Sequence, residues 1–269
     1  MPNPVKVIYN IRLMDDLARG GTCIHRRHPL AKLVVTVGFL IAVISFDKYE
    51  ISNLIPFLFY PLLIIILSEI SAMPIIKRIL LIEPFIIALG IFNPIFDRQA
   101  VLIGTLSVSA GWLAFLSILI KCSLTVAAVV LLLATTGMEK LAVALRMLHI
   151  PKIFVLQLLL TYRYISLLAE EVGRILGAHA LRTPGHKGVA PAAWGSLAGG
   201  LLLRSFDRAQ RVYQAMCLRG FDGEYNVGNV HNINMADIAY TAIWLLVFTA
   251  ARLYNLPVLL GTLITGVFG

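Results

Sequence analysis

Residues 101–134 read VLIGTLSVSAGWLAFLSILIKCSLTVAAVVLLLA, an apolar run in which Lys121 is the only charge. As a single helix it would rise about 50 Å, far more than the ~30 Å hydrocarbon core of a bilayer. The run is therefore expected to break or tilt strongly. Only helices and closed barrels satisfy their backbone groups in lipid. The run is continuous rather than alternating, so it reads as helical.

Five further apolar stretches flank it. Residues 30–46 and 51–67 are separated by Asp47, Lys48 and Glu50 and read as a tight helical hairpin. Residues 79–96 form a third span despite Glu83 and Pro84, and residues 235–254 form a fifth. Residues 256–268 are short for a full crossing and fit either a sixth span or a partly re-entrant end. With 59% hydrophobic and 14% charged residues and a mean hydropathy of +0.85, the chain cannot clothe a soluble domain. The expected fold is all-α, a polytopic membrane protein with five or six transmembrane helices. Its segments are 1–29 (cytoplasmic N-terminal segment), 30–136 (transmembrane helices 1–4), 137–234 (cytoplasmic, amphipathic) and 235–269 (C-terminal helix or helices).

The basic residues set the orientation. With the N-terminus inside, all of the 23 Lys and Arg face the cytoplasm except Lys48, Arg98, Lys121 and Arg252. Inner loops facing anionic lipid account for the net charge of +9, so no nucleic-acid partner is required. The sequence is polar up to Lys32 and lacks a small-residue cleavage site, so the first span is expected to be retained. Cys23, Cys122 and Cys217 are far apart and read as reduced thiols rather than a disulfide framework.

Residues 137–234 concentrate the charge and the helix-stop signals. After Pro151 a helix is expected to about Arg182, with Leu158, Tyr162, Ile165, Leu168, Val172, Ile175 and His179 at helical spacing. Glu170 and Arg174 are placed as an i,i+4 pair. Thr183-Pro184-Gly185 ends this helix. A second helix follows Pro191 to about Arg219; Arg204, Arg208 and Arg211 lie on one side and Asp207 is placed to pair with Arg211. Gly220-Phe221-Asp222-Gly223 closes it. Arg182 and Arg219 thus each precede a breaker. They can satisfy the last carbonyls of their helices, an effect of about 0.3–1 kcal/mol each. They can equally dock on soluble partners, where a planar guanidinium makes bidentate bonds to carboxylates.

These residues carry a resemblance. The run Arg163-Tyr164-Ile165-Ser166-Leu167-Leu168-Ala169-Glu170-Glu171, followed by Arg174, Ala178 and Arg182, resembles the first coupling-helix signature of the CbiQ/EcfT family. The run from Arg208 to Gly223, RAQRVYQAMCLRGFDG, is similar to the second signature and is the more specific. His25-Arg26-Arg27-His28-Pro29-Leu30-Ala31-Lys32-Leu33 is similar to the family's approach to its first span. The resemblance covers essentially the whole chain and points to the cobalt/nickel, or CbiQ, branch. It implies the transmembrane coupling (T) component of an energy-coupling-factor importer in the cell (inner) membrane. Its ATPase-coupling motifs would be Leu181-Arg182-Thr183 and Leu218-Arg219-Gly220, supported by Glu170, Arg174, Asp207 and Arg211. Neither motif has the family's Ala before Arg, and the first lacks Gly after it. The implied partners are two CbiO-like ATP-binding-cassette ATPase subunits and a CbiM-like substrate-binding membrane subunit, alone or with a small CbiN-like subunit. ATP and Mg would sit on the ATPases, with no cofactor on this chain.

Other readings are weighed against this. A vitamin transporter's T component would use the same arginines. A membrane enzyme would need clustered polar groups at membrane depth, whereas Glu69, Glu83, Asp97 and Lys121 are well separated. Among these, Glu83 is expected to pair with Lys121. The sequence contains no Gly-x-x-x-x-Gly-Lys-Ser/Thr phosphate loop. Cys23, His25 and His28 have ligand chemistry, but Arg26 and Arg27 beside them oppose a cation, and an interfacial anchor is the better reading.

Overall fold

A computed structural model describes residues 15–47, 51–96, 100–103, 106–183, 188–223 and 233–253. In chain order its elements are α1 (Cys23–Arg26), α2 (Pro29–Ile44), a 3-10 helix (Ser52–Leu58), α3 (Phe59–Ser68), α4 (Ala72–Gly90) and α5 (Phe92–Phe96). A hairpin, β1 (Ala100–Ile103) and β2 (Leu106–Ser109), follows. Then come α6 (Ala110–Thr136), α7 (Met138–Met147), α8 (Lys152–Arg182), α9 (Pro191–Leu218) and α10 (Met235–Leu253). The protein is a helical, multi-pass membrane protein. Among the described residues, α6, α8 and α10 are long and apolar enough to cross a bilayer; α2 and residues Asn53–Ser68 are apolar but shorter. Residues 256–268 and Asp97, assigned roles from sequence, lie outside the described residues.

The long apolar run breaks where its composition changes. Val101, Ile103, Thr105, Ser107, Val108 and Ser109 are poor helix formers, and Leu106 to Ser109 alternates apolar and polar. Residues 100–103 and 106–109 accordingly pair as antiparallel strands, Ala100 opposite Ser109 and Ile103 opposite Leu106. The helix expected from residue 101 begins only at Ala110. The third span also differs from expectation: α4 starts at Ala72, carries Lys77, Arg78 and Glu83, and runs through Pro84.

The chain divides into two compact units: Leu17–Gly137 with His231–Gly269, and Met1–Asp16 with Met138–Val230. In the first, α2 packs against both α6 and α10, and α6 also packs against α4. Its core is aromatic. Phe39 is fully buried and lies 4.7 Å from the Tyr60 ring, 5.4 Å from Phe248 and 5.9 Å from Phe57. Gly38 permits the close approach of α10, because a β-carbon there would meet Leu245 Cδ2 at 2.6 Å.

Cations inside this unit serve helix ends. Lys121 donates to the Phe46 and Asp47 carbonyls at 2.6 and 3.2 Å, just beyond the C-terminus of α2. Arg252 donates to the Ser45 carbonyl at 3.0 Å and stacks over the Phe46 ring. Lys32, buried, donates to the Thr135 carbonyl at 2.8 Å near the end of α6 and to the His25 carbonyl at 3.3 Å. The expected Glu83–Lys121 pair does not form; Glu83 accepts from Ser123 Oγ at 3.4 Å. The carbonyls ending a helix present partial negative charge to an ammonium without the cost of also burying a carboxylate.

In the second unit α7 packs on α8, where Ala142, Val155 and Leu159 are buried beside Leu145, Ile150 and Leu158. Tyr162 Oη donates to Asp15 Oδ1 at 2.7 Å. Val155 and Leu159 are the buried residues of α8, both in its first third, and α9 has none.

Candidate functional site

Pro151 caps the N-terminus of α8 with φ −52°, ψ 136°, and the helix continues for 31 residues to Arg182. It ends without a glycine. The Thr183 side chain folds back, its Oγ1 donating to the His179 carbonyl at 2.9 Å while its amide donates to the same oxygen at 3.1 Å. Leu181, immediately before the arginine, is 86% exposed. The hydroxyl thus adds a second bond to the His179 carbonyl, and the helix ends at Thr183 without a glycine turn.

The second motif ends in the other way. Pro191 occupies the first turn of α9, where its missing N–H costs nothing. At the far end, Phe221 N donates to the Met216 carbonyl and Gly220 N to the Cys217 carbonyl, both at 3.0 Å. That is a Schellman motif, and Gly220 supplies its left-handed residue at φ +78°. The turn leaves Leu218 89% exposed, with exposed Arg219 at the cap. Arg182 is likewise exposed, and neither arginine forms an ion pair among the described residues. Both side chains are therefore available for contacts outside the chain.

The ion pairs differ from those read in sequence. Arg174 pairs with Glu171, not with Glu170: its Nη2 lies 2.5 Å from Glu171 Oε2. Two arginines of α9 reach the same carboxylate, Arg204 Nη1 at 3.1 Å from Oε1 and Arg208 Nη2 at 3.8 Å from Oε2. Helical spacing alone favours position 170 as the i,i+4 partner of Arg174; the crossing of α9 brings two more guanidiniums to position 171 and decides the matter. Asp207 and Arg211 are both exposed and do not pair among the described residues.

A groove of about 590 Å³ lies between α8 and the end of α9, lined in part by Arg163, Tyr164, Leu167, Met216, Arg219 and Phe221. It brings Arg219 together with Arg163 but does not include Arg182. Helix periodicity places Arg163 on the polar side of α8; its partnership with the α9 cap depends on a crossing that periodicity does not encode.

The segment around His25 and His28 is structural. His25 is held by Thr22 Oγ1 at 2.7 Å and by the Leu17 carbonyl at 3.0 Å. His28 caps α2, its Nδ1 accepting from Leu30 N at 3.2 Å. Buried Asp237 of α10 accepts from the amides of His28 and Asn234, each at 3.2 Å, and lies 3.8 Å from Arg27. Burial holds the His28 imidazole below the usual histidine range, partly opposed by the Asp237 charge. Among the described residues no group of three or more His, Cys, Asp or Glu is arranged to hold a metal ion.

Comparison with known proteins gives a consistent picture. The model of the CbiQ family, described as cobalt transport protein, matches residues 20–231. A nickel permease, LarQ, of Lactiplantibacillus plantarum is 34% identical over 96 residues, 34% of this chain and 33% of the permease. The matched stretch thus spans about a third of the permease's length. An uncharacterised protein of Methanocaldococcus jannaschii is 25% identical over 240 residues, covering 85% of this chain and 81% of the archaeal one.

Proposed function

This chain belongs to the CbiQ family of cobalt transport proteins, a family of cobalt and nickel transport components, and on that premise we propose that it is the transmembrane coupling subunit of an energy-coupling-factor importer. The observation that carries the reading is the pair of exposed arginines without an ion pair among the described residues, each at the end of a long helix with its own capping bonds. An arginine serving only its own helix end would fold back onto the last carbonyls. Here Thr183 bonds the His179 carbonyl and the Gly220 turn bonds the Met216 and Cys217 carbonyls, and the guanidiniums are left for carboxylates on other proteins.

In this reading Arg182 and Arg219 dock on two ATP-binding-cassette ATPase subunits on the cytoplasmic side, where the N-terminus also lies. Nucleotide and Mg²⁺ belong to those partners; this chain has no phosphate loop and transmits motion without hydrolysing ATP. Closure of the ATPases would draw the two helix ends with it, and α8 and α9 would pass the displacement to a separate substrate-binding membrane subunit. A two-state element biased by nucleotide is the physical requirement. Cobalt is the cargo the family description favours, with nickel favoured by the LarQ likeness.

The test is a mild-detergent purification of tagged wild type and of the Arg182→Ala/Arg219→Ala variant, followed by mass spectrometry and an ATPase assay. Wild type is expected to bring down an ATPase and a small membrane subunit, while the double variant loses the ATPase or hydrolyses ATP without transport. Normal metal uptake by the double variant would sink the docking role.

A further inference from the structure

We propose that Glu171 is the positioning residue that fixes the crossing of α8 and α9, so that their two arginine-bearing ends move as one body; this rests on the coupling reading above.

Glu171 is a single carboxylate shared by three arginines. Its Oε1 faces Arg204 at 3.1 Å, and its Oε2 faces Arg174 at 2.5 Å and Arg208 at 3.8 Å. Arg204 and Arg208 are four residues apart and so occupy one face of α9, one turn from each other. The carboxylate is the enclosed member, its side chain 13% exposed against 65% and 66% for Arg174 and Arg204. Three guanidiniums thus converge on one anion at the crossing, and two of them come from the opposite helix.

Little apolar packing competes with this tie. The buried residues of α8, Val155 and Leu159, sit at its beginning in the α7 contact. The whole of α9 contributes no buried residue. An isolated surface ion pair contributes little to stability, but stability is not the point here. Two long helices with a lightly packed crossing can pivot or slide, and a push at one end then dissipates before it reaches the other. A carboxylate shared by both helices makes the angle definite, and the lever rigid.

The experiment uses the complete transporter in proteoliposomes, together with the chain alone in nanodiscs. Nitroxides at Ala178→Cys and Gln214→Cys, both exposed, report the separation of the helix ends in a background where Cys23, Cys122 and Cys217 are Ser. Glu171→Gln keeps the shape and removes the charge. It is expected to broaden the nitroxide distance distribution and to lower the metal transported per ATP hydrolysed by at least about fivefold, while the ATPase still co-purifies. Glu171→Asp is expected to restore most of both. An unchanged distribution and an unchanged transport ratio in Glu171→Gln, with a wild type that couples, would overturn this role alone. A wild type that brings down no ATPase would overturn the coupling reading, and this proposal with it.

Discussion

Replacing Lys32 by Met removes a charge from a place where burial should disfavour one, yet it is expected to destabilise the protein. Lys32 is 3% exposed, and its ammonium donates to the Thr135 carbonyl at 2.8 Å and the His25 carbonyl at 3.3 Å. Hydrogen bonds from a charged donor contribute about 1.5–3 kcal/mol each, and an abandoned buried carbonyl costs about 1–3 kcal/mol. Against this, Met fills a similar volume and spares the desolvation of the ammonium, often several kcal/mol. The shorter bond decides: it satisfies a carbonyl at the end of α6 that methionine cannot. Those per-bond figures are already net of desolvation, so counting the shorter bond in full and the longer one at half, both toward the lower end of the range, gives a loss of about 2–3 kcal/mol. For a chain of this size that lowers the melting temperature by about 5–10 °C. Thermal unfolding in detergent, followed by thiol accessibility of Cys122, measures it. A Lys32→Met protein that melts with or above the wild type would refute the capping argument and show that desolvating the ammonium outweighs the hydrogen bonds it makes.

The aromatic core gives a second prediction. Phe39→Ala should cost about 3–5 kcal/mol, since the ring is fully buried among Tyr60, Phe57 and Phe248; the melting temperature in detergent should fall, and an unchanged one would show that this cluster does not hold the unit together. A third concerns pH. Burial keeps His28 neutral in the fold, so its folded pKa lies below that of the unfolded chain. The unfolded chain then takes up the proton first, and stability present above about pH 6.5 is lost as pH falls through the folded value. His28→Gln should flatten that decline in melts at about pH 7.5 and about pH 5.5; equal declines in both proteins would exclude His28 as its source.

Much of the fold is legible in residue order because its boundaries are local. Pro151 and Pro191 start α8 and α9 where proline signals place them, and Gly220 stops α9 through a turn that needs its positive φ. The strand pair at 100–103 and 106–109 is hidden inside an apolar run, since apolarity marks membrane depth whereas period and β-branching mark the backbone. Helix α7 is amphipathic, but with only ten residues between Gly137 and Pro151 it is too short to stand out beside the longer apolar runs around it. Partnership across elements is not legible at all. Glu171 rather than Glu170, Lys121 on a helix end rather than on Glu83, and Arg163 beside Arg219 all depend on which face an adjacent helix presents. No spacing rule within one segment contains that information.

Helix α9 runs for 28 residues without one side chain sequestered by its own chain. An isolated helix gains little from propensity alone and draws its permanence from what packs against it. The helix therefore presents an unfinished surface, one that cellular proteases and chaperones can read as orphaned. The protein's lifetime in the cell should lengthen when that face is covered, which makes this stretch a quality-control mark.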